Sequence, residues 1–241
     1  MPSDYIVVPE YKLSGCRITK AMSSVMTGAF CYLYDTDNFM SRNLSMTLNI
    51  GACNGRNEKE SLDSSMSSSE GWTHLLLHRD PLERFMSNIA DKCLYPLYLF
   101  SNCLGCFRDM SCILRAHHKR SLHYTPKMGD DFFHRHFAPQ SWVCDQVRLG
   151  QNYTRVAYSA KDRSGTLNRF LGALDSAGVP HEKRAEIRSQ LSGHSTVHTT
   201  TGSSQKKAYR RQLLGDAQMM RTLLQLYLYD YVIYGYEIPT I

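Results

Sequence analysis

Short apolar runs that end in polar turns recur along this chain, and a longer segment with helical spacing follows each of them. Runs of this length are typical of buried strands, whereas apolar residues three and four positions apart are typical of helices. Strands are predicted at Tyr5 to Pro9, Leu75 to Leu77 and Val156 to Ser159. Helices are predicted from Cys16 to Tyr34, from Pro81 onward, and at 162–177, 181–191 and 223–236. Strands that alternate with helices indicate an α/β fold, a parallel sheet flanked by helices.

Three other segments have little of this periodicity. Residues 54–70 are rich in Ser, Asn and charge, which indicates a flexible surface loop, and residues 94–116 are apolar and Cys-rich, which indicates a partly helical segment. Residues 192–204 form a polar loop that either closes over a ligand or is a disordered connector. At 241 residues the chain is expected to form a single domain over 1–241.

The charged turn after the Leu75 run contains the first candidate site. Pro81 suits the first position of a helix, and a helix N-terminus at the end of a strand favours anions. Arg79 can bind two oxygens of a phosphate, and Ser87 can add a hydroxyl two turns into the helix. The alternative is a surface Arg–Asp pair followed by an ordinary helix serine.

A second candidate site lies near the start of the chain. A polar loop at residues 10–15 links the first strand to the first helix, with Lys12 in the loop and Lys20 one turn into the helix. Strand, loop and basic helix start together indicate a second phosphate site. Neither strand is followed by Gly-x-x-x-x-Gly-Lys-Ser/Thr or by Gly-x-Gly-x-x-Gly, which disfavours kinases and dehydrogenases.

The net charge of +6 favours anionic partners. Basic residues are scattered except at Lys206-Lys207 and Arg210-Arg211, so a dedicated nucleic-acid surface is not favoured.

The eight cysteines leave three readings open: a disulfide framework, a metal site or buried thiols. Cys16 and Cys31 are expected to be buried thiols within a helix, and Cys103-x-x-Cys106 with Cys112, His117 and His118 allows zinc. The remaining reading is that disulfides link the central cysteines, which are Cys93, Cys103, Cys106, Cys112 and Cys144.

Taken in order, these segments resemble the Golgi carbohydrate sulfotransferases of the chondroitin and dermatan type, in particular a divergent group of nematode members. Val8-Pro9, Lys12, Cys16 and Lys20 match the order of the family's site for the 5'-phosphosulfate of 3'-phosphoadenosine 5'-phosphosulfate (PAPS). The family's 3'-phosphate motif is matched from Leu77 to Ser87. Further matches are Asp91-Lys92, the segment from His136 to Gln140 with Cys144, and the last helix with its Tyr-x-x-Asp-Tyr at 227–231.

The chain departs from the family pattern in two places. Glu10 follows Pro9 where the family has Lys, and the loop before Cys16 is longer, so either Lys12 has taken the Lys role or Glu10 weakens the 5' site. Phe137 replaces a Trp.

The resemblance implies transfer of a sulfuryl group from PAPS to a hydroxyl of a glycosaminoglycan-like carbohydrate, with no metal. Lys12, Cys16 and Lys20 would bind the 5' end of the nucleotide, and Arg79 and Ser87 its 3'-phosphate. The expected cation on the bridging phosphate oxygen is Lys12 or Lys20, because a flexible ammonium can follow developing charge. His136 is the preferred general base, with His134 and His78 as alternatives, and Trp142 either stacks on a sugar or is part of the core. The other functional reading is a non-catalytic relative that binds glycan or nucleotide.

Relatives of this kind are anchored in the Golgi membrane, so the resemblance implies a lumenal glycoprotein of chondroitin sulfate biosynthesis. Asn43-Leu-Ser45 and Asn152-Tyr-Thr154 are glycosylation triplets compatible with that compartment. The chain itself shows no signal peptide and no membrane span. Three alternatives follow: the chain is the lumenal part of a protein whose anchor lies outside it, it is secreted by another route, or it is cytosolic with reduced cysteines.

Overall fold

The computed structural model describes residues 4–47, 53–67, 71–94, 103–123, 131–146, 152–192 and 204–241. They fall into two compact units. We call Pro2–His78 with Val143–Thr199 the sheet unit, and Arg79–Trp142 with Thr200–Ile241 the helical unit. The chain passes directly from the first to the second between His78 and Arg79, at the end of one strand.

One five-stranded sheet, in the order β3-β1-β2-β4-β5, forms the centre of the sheet unit. The strands are β1 Tyr5–Val8, β2 Leu13–Cys16, β3 Glu58–Lys59, β4 Thr73–Arg79 and β5 Tyr153–Tyr158. β2 and β4 are parallel, with Leu13 opposite Thr73 and Cys16 opposite Leu76, whereas β1 is antiparallel to both of its neighbours. The predicted α/β class is confirmed. The sequence did not predict the hairpin of β1 and β2, whose two strands are antiparallel.

That hairpin corrects the reading of the first twenty residues. The segment predicted as a polar loop is a tight 3-10 turn at Pro9–Tyr11, followed by Lys12 in the left-handed conformation and then by β2. The helix predicted from Cys16 begins only at Ser23. Gly15 allows β2 to pack closely, because a Cβ there would lie 2.9 Å from the Phe30 ring. All four residues of β2 are buried, so its sequence lacks the alternation of apolar and polar residues that indicates a half-buried strand.

The helices of the sheet unit include both that were predicted in its C-terminal part. They are α1 Ser23–Tyr34, α2 Thr36–Ser41, α3 Ser64–Ser67, α7 Arg163–Ser176 and α8 His181–Leu191. Their apolar residues form one core with the sheet, including Ile6, Leu13, Phe30, Leu75, Leu77, Phe170 and Leu174. The predicted loop at 54–70 contains β3 and α3, and its residues 68–70 lie outside the described part.

The helical unit has a second core of its own. Its elements are α4 Pro81–Asn88 continued by a π-helical turn Ile89–Cys93, α5 Met110–Ser121, α6 Phe132–Phe137, a 3-10 turn Gln140–Trp142, α9 Ser204–Leu214 and α10 Ala217–Tyr234. Its core includes Leu82, Phe85, Phe133, Phe137, Leu223, Tyr227 and Tyr231. The predicted helices after Pro81 and near the C-terminus are confirmed. The predicted partly helical segment at 94–116 contains the start of α5, and its residues 95–102 lie outside the described residues. Nearly all of the predicted loop at 192–204 also lies outside them.

All eight cysteines are paired within one unit or the other. Cys16–Cys144 and Cys31–Cys53 lie in the sheet unit, and Cys93–Cys103 and Cys106–Cys112 lie in the helical unit. The disulfide framework is therefore confirmed. The buried thiols predicted at Cys16 and Cys31 are wrong, and so is the zinc alternative, because its sulfurs are in disulfides.

None of the helices in the described residues combines the length and the apolar character that crossing a membrane requires.

Candidate functional site

Arg79 is the last residue of β4, and its main chain is held from both sides. The Gln140 side chain accepts a hydrogen bond from the Arg79 N–H at 2.9 Å and donates one to the Arg79 carbonyl at 2.8 Å. Gln140 is itself fixed by the Asp230 carboxylate of α10, which accepts the backbone N–H groups of Gln140 at 2.7 Å and Ser141 at 2.9 Å. Asp230 and Gln140 are both fully buried. This network fixes the position from which the Arg79 guanidinium projects.

The N-terminus of α4 differs from the anion site that the sequence predicts. Asp80 caps the helix, and its carboxylate accepts the Glu83 N–H at 2.8 Å, while Pro81 has no N–H to offer. Burial raises the pKa of Asp80, against the lowering effect of that hydrogen bond. A phosphate near Arg79 would therefore be bound by side chains rather than by the helix end.

Those side chains lie along one face of α4. Arg79, Glu83 and Ser87 are spaced four residues apart, which places the two helical ones on the same face and Arg79 at its start. The Glu83 carboxylate lies 3.9 Å from Arg79 Nη2. It also lies 3.4 Å from Lys206 Nζ and 3.2 Å from Arg210 Nε, both on α9. The basic cluster on α9 is evident in the sequence, but no local pattern connects it to α4.

The charges in this cluster shift each other's protonation. Burial alone would raise the pKa of Glu83, but Lys206, Arg79 and Arg210 together hold it below its ordinary value. Burial lowers the pKa of Lys206, and Glu83 opposes that shift. With the capping Asp80, the cluster contains three cationic groups and two carboxylates, an electrostatic setting suited to an anionic ligand.

His136, the predicted general base, lies near the end of α6 with its main chain fixed. Arg84 is fully buried and donates to the carbonyls of Ala138 at 2.8 Å and His136 at 3.1 Å. Asn88 also donates to the His136 carbonyl. The side chain of His136 is only partly buried. Its imidazole is therefore accessible to solvent, while the hydrogen bonds to its carbonyl hold its backbone in place.

The two alternative bases are in other settings. His134 is buried and stacks on Trp142, with ring centroids 5.9 Å apart, and burial followed by Arg120 lowers its pKa. Trp142 is half-exposed and is thus not a core residue. His78, in the sheet unit, has its pKa lowered to about 4 by burial and by Arg155, so it is neutral at pH 7.

In the sheet unit, the loop that connects a strand to the first helix lies at residues 16–23. The sequence predicts this loop at residues 10–15, earlier in the chain. β2 ends at Cys16, and α1 begins at Ser23. Lys20 and Met22 both have positive φ in the connecting loop, so Lys20 lies in a turn before the helix and not one turn into it. Within the described residues no side chain caps this helix end, and its first turn begins with Ser23 and Ser24. The sequence does not mark these serines as the start of the helix, because its pattern predicts a helix that begins at Cys16.

Lys12 lies at the other end of β2. The Thr73 N–H donates to the Lys12 carbonyl at 2.8 Å, and Lys12 Nζ lies 3.2 Å from the position of a Cβ on Gly71. This is the amino end of the parallel pair β2 and β4, whereas ligands of such sheets bind at the carboxyl ends. The geometry therefore favours Lys20 over Lys12. Glu10 is on the Lys12 side of the hairpin, so it does not weaken a site at residues 16–23.

The sulfur of Cys16 is bonded to Cys144 and is not available as a thiol ligand. Of the predicted site residues, Lys12, Cys16 and Lys20 belong to the sheet unit, and Arg79, Ser87 and His136 belong to the helical unit. In the described residues no group of three or more His, Cys, Asp or Glu side chains could hold a metal ion.

Comparison with known proteins gives one family and several relatives. The profile of the family described as "Sulfotransferase family" matches residues 3–237. An uncharacterized protein of Caenorhabditis elegans is 29% identical over 98% of this chain and 69% of its own length. The carbohydrate sulfotransferase chst-1 of the same organism is 26% identical over 97% of this chain and 75% of its own length. No solved structure gives a significant match.

Proposed function

Because the chain belongs to the sulfotransferase family, we propose that it transfers a sulfuryl group from PAPS to a hydroxyl of a carbohydrate, with a chondroitin-like glycosaminoglycan as the acceptor. One observation carries the nucleotide part of this proposal. Gln140 holds both main-chain polar groups of Arg79 at the start of α4. The face of α4 that begins there carries Ser87, and two cations of α9 contact it through Glu83. The carbohydrate part is supported by similarity to a relative that is named a carbohydrate sulfotransferase.

Each site residue has a role in this reaction. Arg79 and Ser87 bind the 3'-phosphate, and the loop at residues 17–22 with the first turn of α1 binds the 5' end. In the transfer, the acceptor oxygen forms a bond to sulfur as the bond from sulfur to the bridging phosphate oxygen breaks. Lys20 neutralises the negative charge that grows on that bridging oxygen. His136 accepts the proton from the acceptor hydroxyl.

We also propose that the protein works in the Golgi lumen, with secretion as the alternative. Four disulfides form and persist in an oxidising compartment. Asn43 and Asn152, the acceptors of the two glycosylation triplets, are exposed in turns of the sheet unit.

The test is calorimetric titration with 3'-phosphoadenosine 5'-phosphate (PAP), the expected product, and with AMP as control. Binding of PAP at least tenfold tighter than AMP would support the nucleotide assignment, and equal affinities in a folded sample would overturn it. Radiolabelled sulfate transfer from PAPS to chondroitin, dermatan and heparan chains then tests the reaction. PAP binding without transfer to any carbohydrate would favour the non-catalytic alternative over the enzyme.

Lys20 and Lys12 give a matched pair of variants for the 5' site. Lys20→Ala is expected to lower kcat about a hundredfold or more, since it removes the cation on the leaving oxygen. Lys12→Ala is expected to leave kcat within about twofold, because Lys12 lies at the amino end of β2. Initial rates at saturating PAPS measure both. Loss of activity in the Lys12 variant alone would move the 5' site to the hairpin turn.

A further inference from the structure

Helix α9 is held in the helical unit by apolar and hydrogen-bond contacts in addition to the ion pairs of its basic residues. Leu213 is fully buried, and the Tyr209 hydroxyl donates to the Arg108 carbonyl at 2.9 Å. Lys206 and Arg210 are one turn apart and both reach Glu83, whereas their neighbours Lys207 and Arg211 are exposed. The helix thus has two basic rows of the same composition, and only one of them faces α4.

The face of α4 that Lys206 and Arg210 approach is the one that bears Ser87. A phosphate in contact with both Arg79 and Ser87 must lie along this face, and Glu83 stands midway between the two. The Glu83 carboxylate therefore occupies the part of the face that such a phosphate would approach. Its contacts with Arg79, Lys206 and Arg210 are the kind that a phosphate oxygen makes.

We propose that Lys206 and Arg210 bind the 3'-phosphate of the nucleotide, and that Glu83 is an internal anion with which this phosphate competes for the same cations. The proposal rests on the proposed function and adds α9 to it. Binding transfers the two α9 cations from a single carboxylate charge to a phosphate of higher charge. Glu83 then lowers nucleotide affinity through repulsion of the phosphate.

The two basic rows of α9 provide the test. Lys206→Ala and Arg210→Ala are each expected to weaken PAP binding about tenfold, the effect of one lost charge-assisted hydrogen bond. Lys207→Ala and Arg211→Ala change the net charge equally but are expected to leave PAP affinity within about twofold. AMP affinity should change little in all four variants, because AMP has no 3'-phosphate. Calorimetry with both nucleotides measures these differences.

Glu83→Gln determines whether Glu83 competes with the phosphate or only fastens α9. It keeps the shape of the side chain and removes its charge, so the proposal expects PAP to bind at least about threefold tighter. If Glu83 only fastened α9, the same change would weaken PAP binding, and that result would overturn the proposal. This variant preserves shape, so it remains informative even if Lys206→Ala fails to fold.

Failure of this inference differs from failure of the proposed function. If the wild-type chain binds PAP and AMP equally, the proposed function fails. If the wild type prefers PAP but the variants of Lys206 and Arg210 bind it as tightly as those of Lys207 and Arg211, only the role of α9 fails.

Discussion

Replacing Arg79 by alanine is expected to weaken PAP binding ten- to a hundredfold while AMP binding stays nearly unchanged. The guanidinium is almost fully buried and projects from a main chain that Gln140 clamps at both polar groups. Loss of a charge-assisted hydrogen bond from such a fixed group costs about 1.5–3 kcal/mol. Calorimetric titration with both nucleotides measures the part of the affinity that depends on the 3'-phosphate.

Two further variants separate charge from geometry at this position. Arg79→Lys keeps the charge but loses the two-pronged geometry, so it is expected to have an intermediate affinity for PAP. Arg221→Ala removes an exposed arginine from α10 in the same unit and serves as the matched control. An Arg79→Ala protein that is folded and binds PAP with wild-type affinity would show that the 3'-phosphate binds elsewhere.

The junction of β4 and α4 could be predicted from sequence because its signals are local. Leu75 to Leu77 form an apolar run, and Asp80 with Pro81 is a typical helix start. The structure confirms both elements. The sequence could not predict which side chain holds the main chain of Arg79 at this junction. Gln140 is 61 residues away from Arg79, and no periodic pattern connects them.

β2 was missed for a different physical reason. Its sequence, Leu-Ser-Gly-Cys, has neither alternation nor a continuous apolar run, yet every residue of it is buried. Ser14 tolerates full burial because its hydroxyl lies 2.7 Å from His74 Nδ1 on β4. A polar residue whose partner is on a neighbouring strand looks like a loop residue in the sequence. This one error places the predicted helix start at Cys16, whereas the helix begins at Ser23.

The site residues show the same division between local and distant information. Local sequence signals predict Arg79 and Ser87 as phosphate ligands, and the structure places Arg79 at the end of β4 and Ser87 on α4. The sequence also marks Lys206 and Arg210 as part of the densest basic cluster. The sequence could not show that these two residues contact Glu83, because Lys206 is 123 residues and Arg210 is 127 residues away from it. The pairing of the cysteines is likewise beyond local patterns, since Cys16 and Cys144 are separated by 128 residues.

That disulfide is expected to contribute more to stability than any other in the sheet unit. In the chain-entropy account, a cross-link stabilises by restricting the unfolded chain, and the effect grows with the length of the closed loop. For the 128-residue separation of Cys16–Cys144 this gives up to about 5 kcal/mol. For the 22-residue separation of Cys31–Cys53 it gives about 3 kcal/mol.

Two double variants measure these contributions. Cys16→Ser with Cys144→Ser is expected to lower the free energy of unfolding, determined in urea, by more than Cys31→Ser with Cys53→Ser does. Equal losses would mean that native packing around the sulfurs, rather than loop closure, sets the stability. Cys16 also ends β2 directly before the loop of Lys20, so its loss should loosen that loop. If the Cys16 and Cys144 variant folds and keeps wild-type affinity for PAP, neither the sulfur of Cys16 nor the order that its disulfide gives to that loop contributes to nucleotide binding.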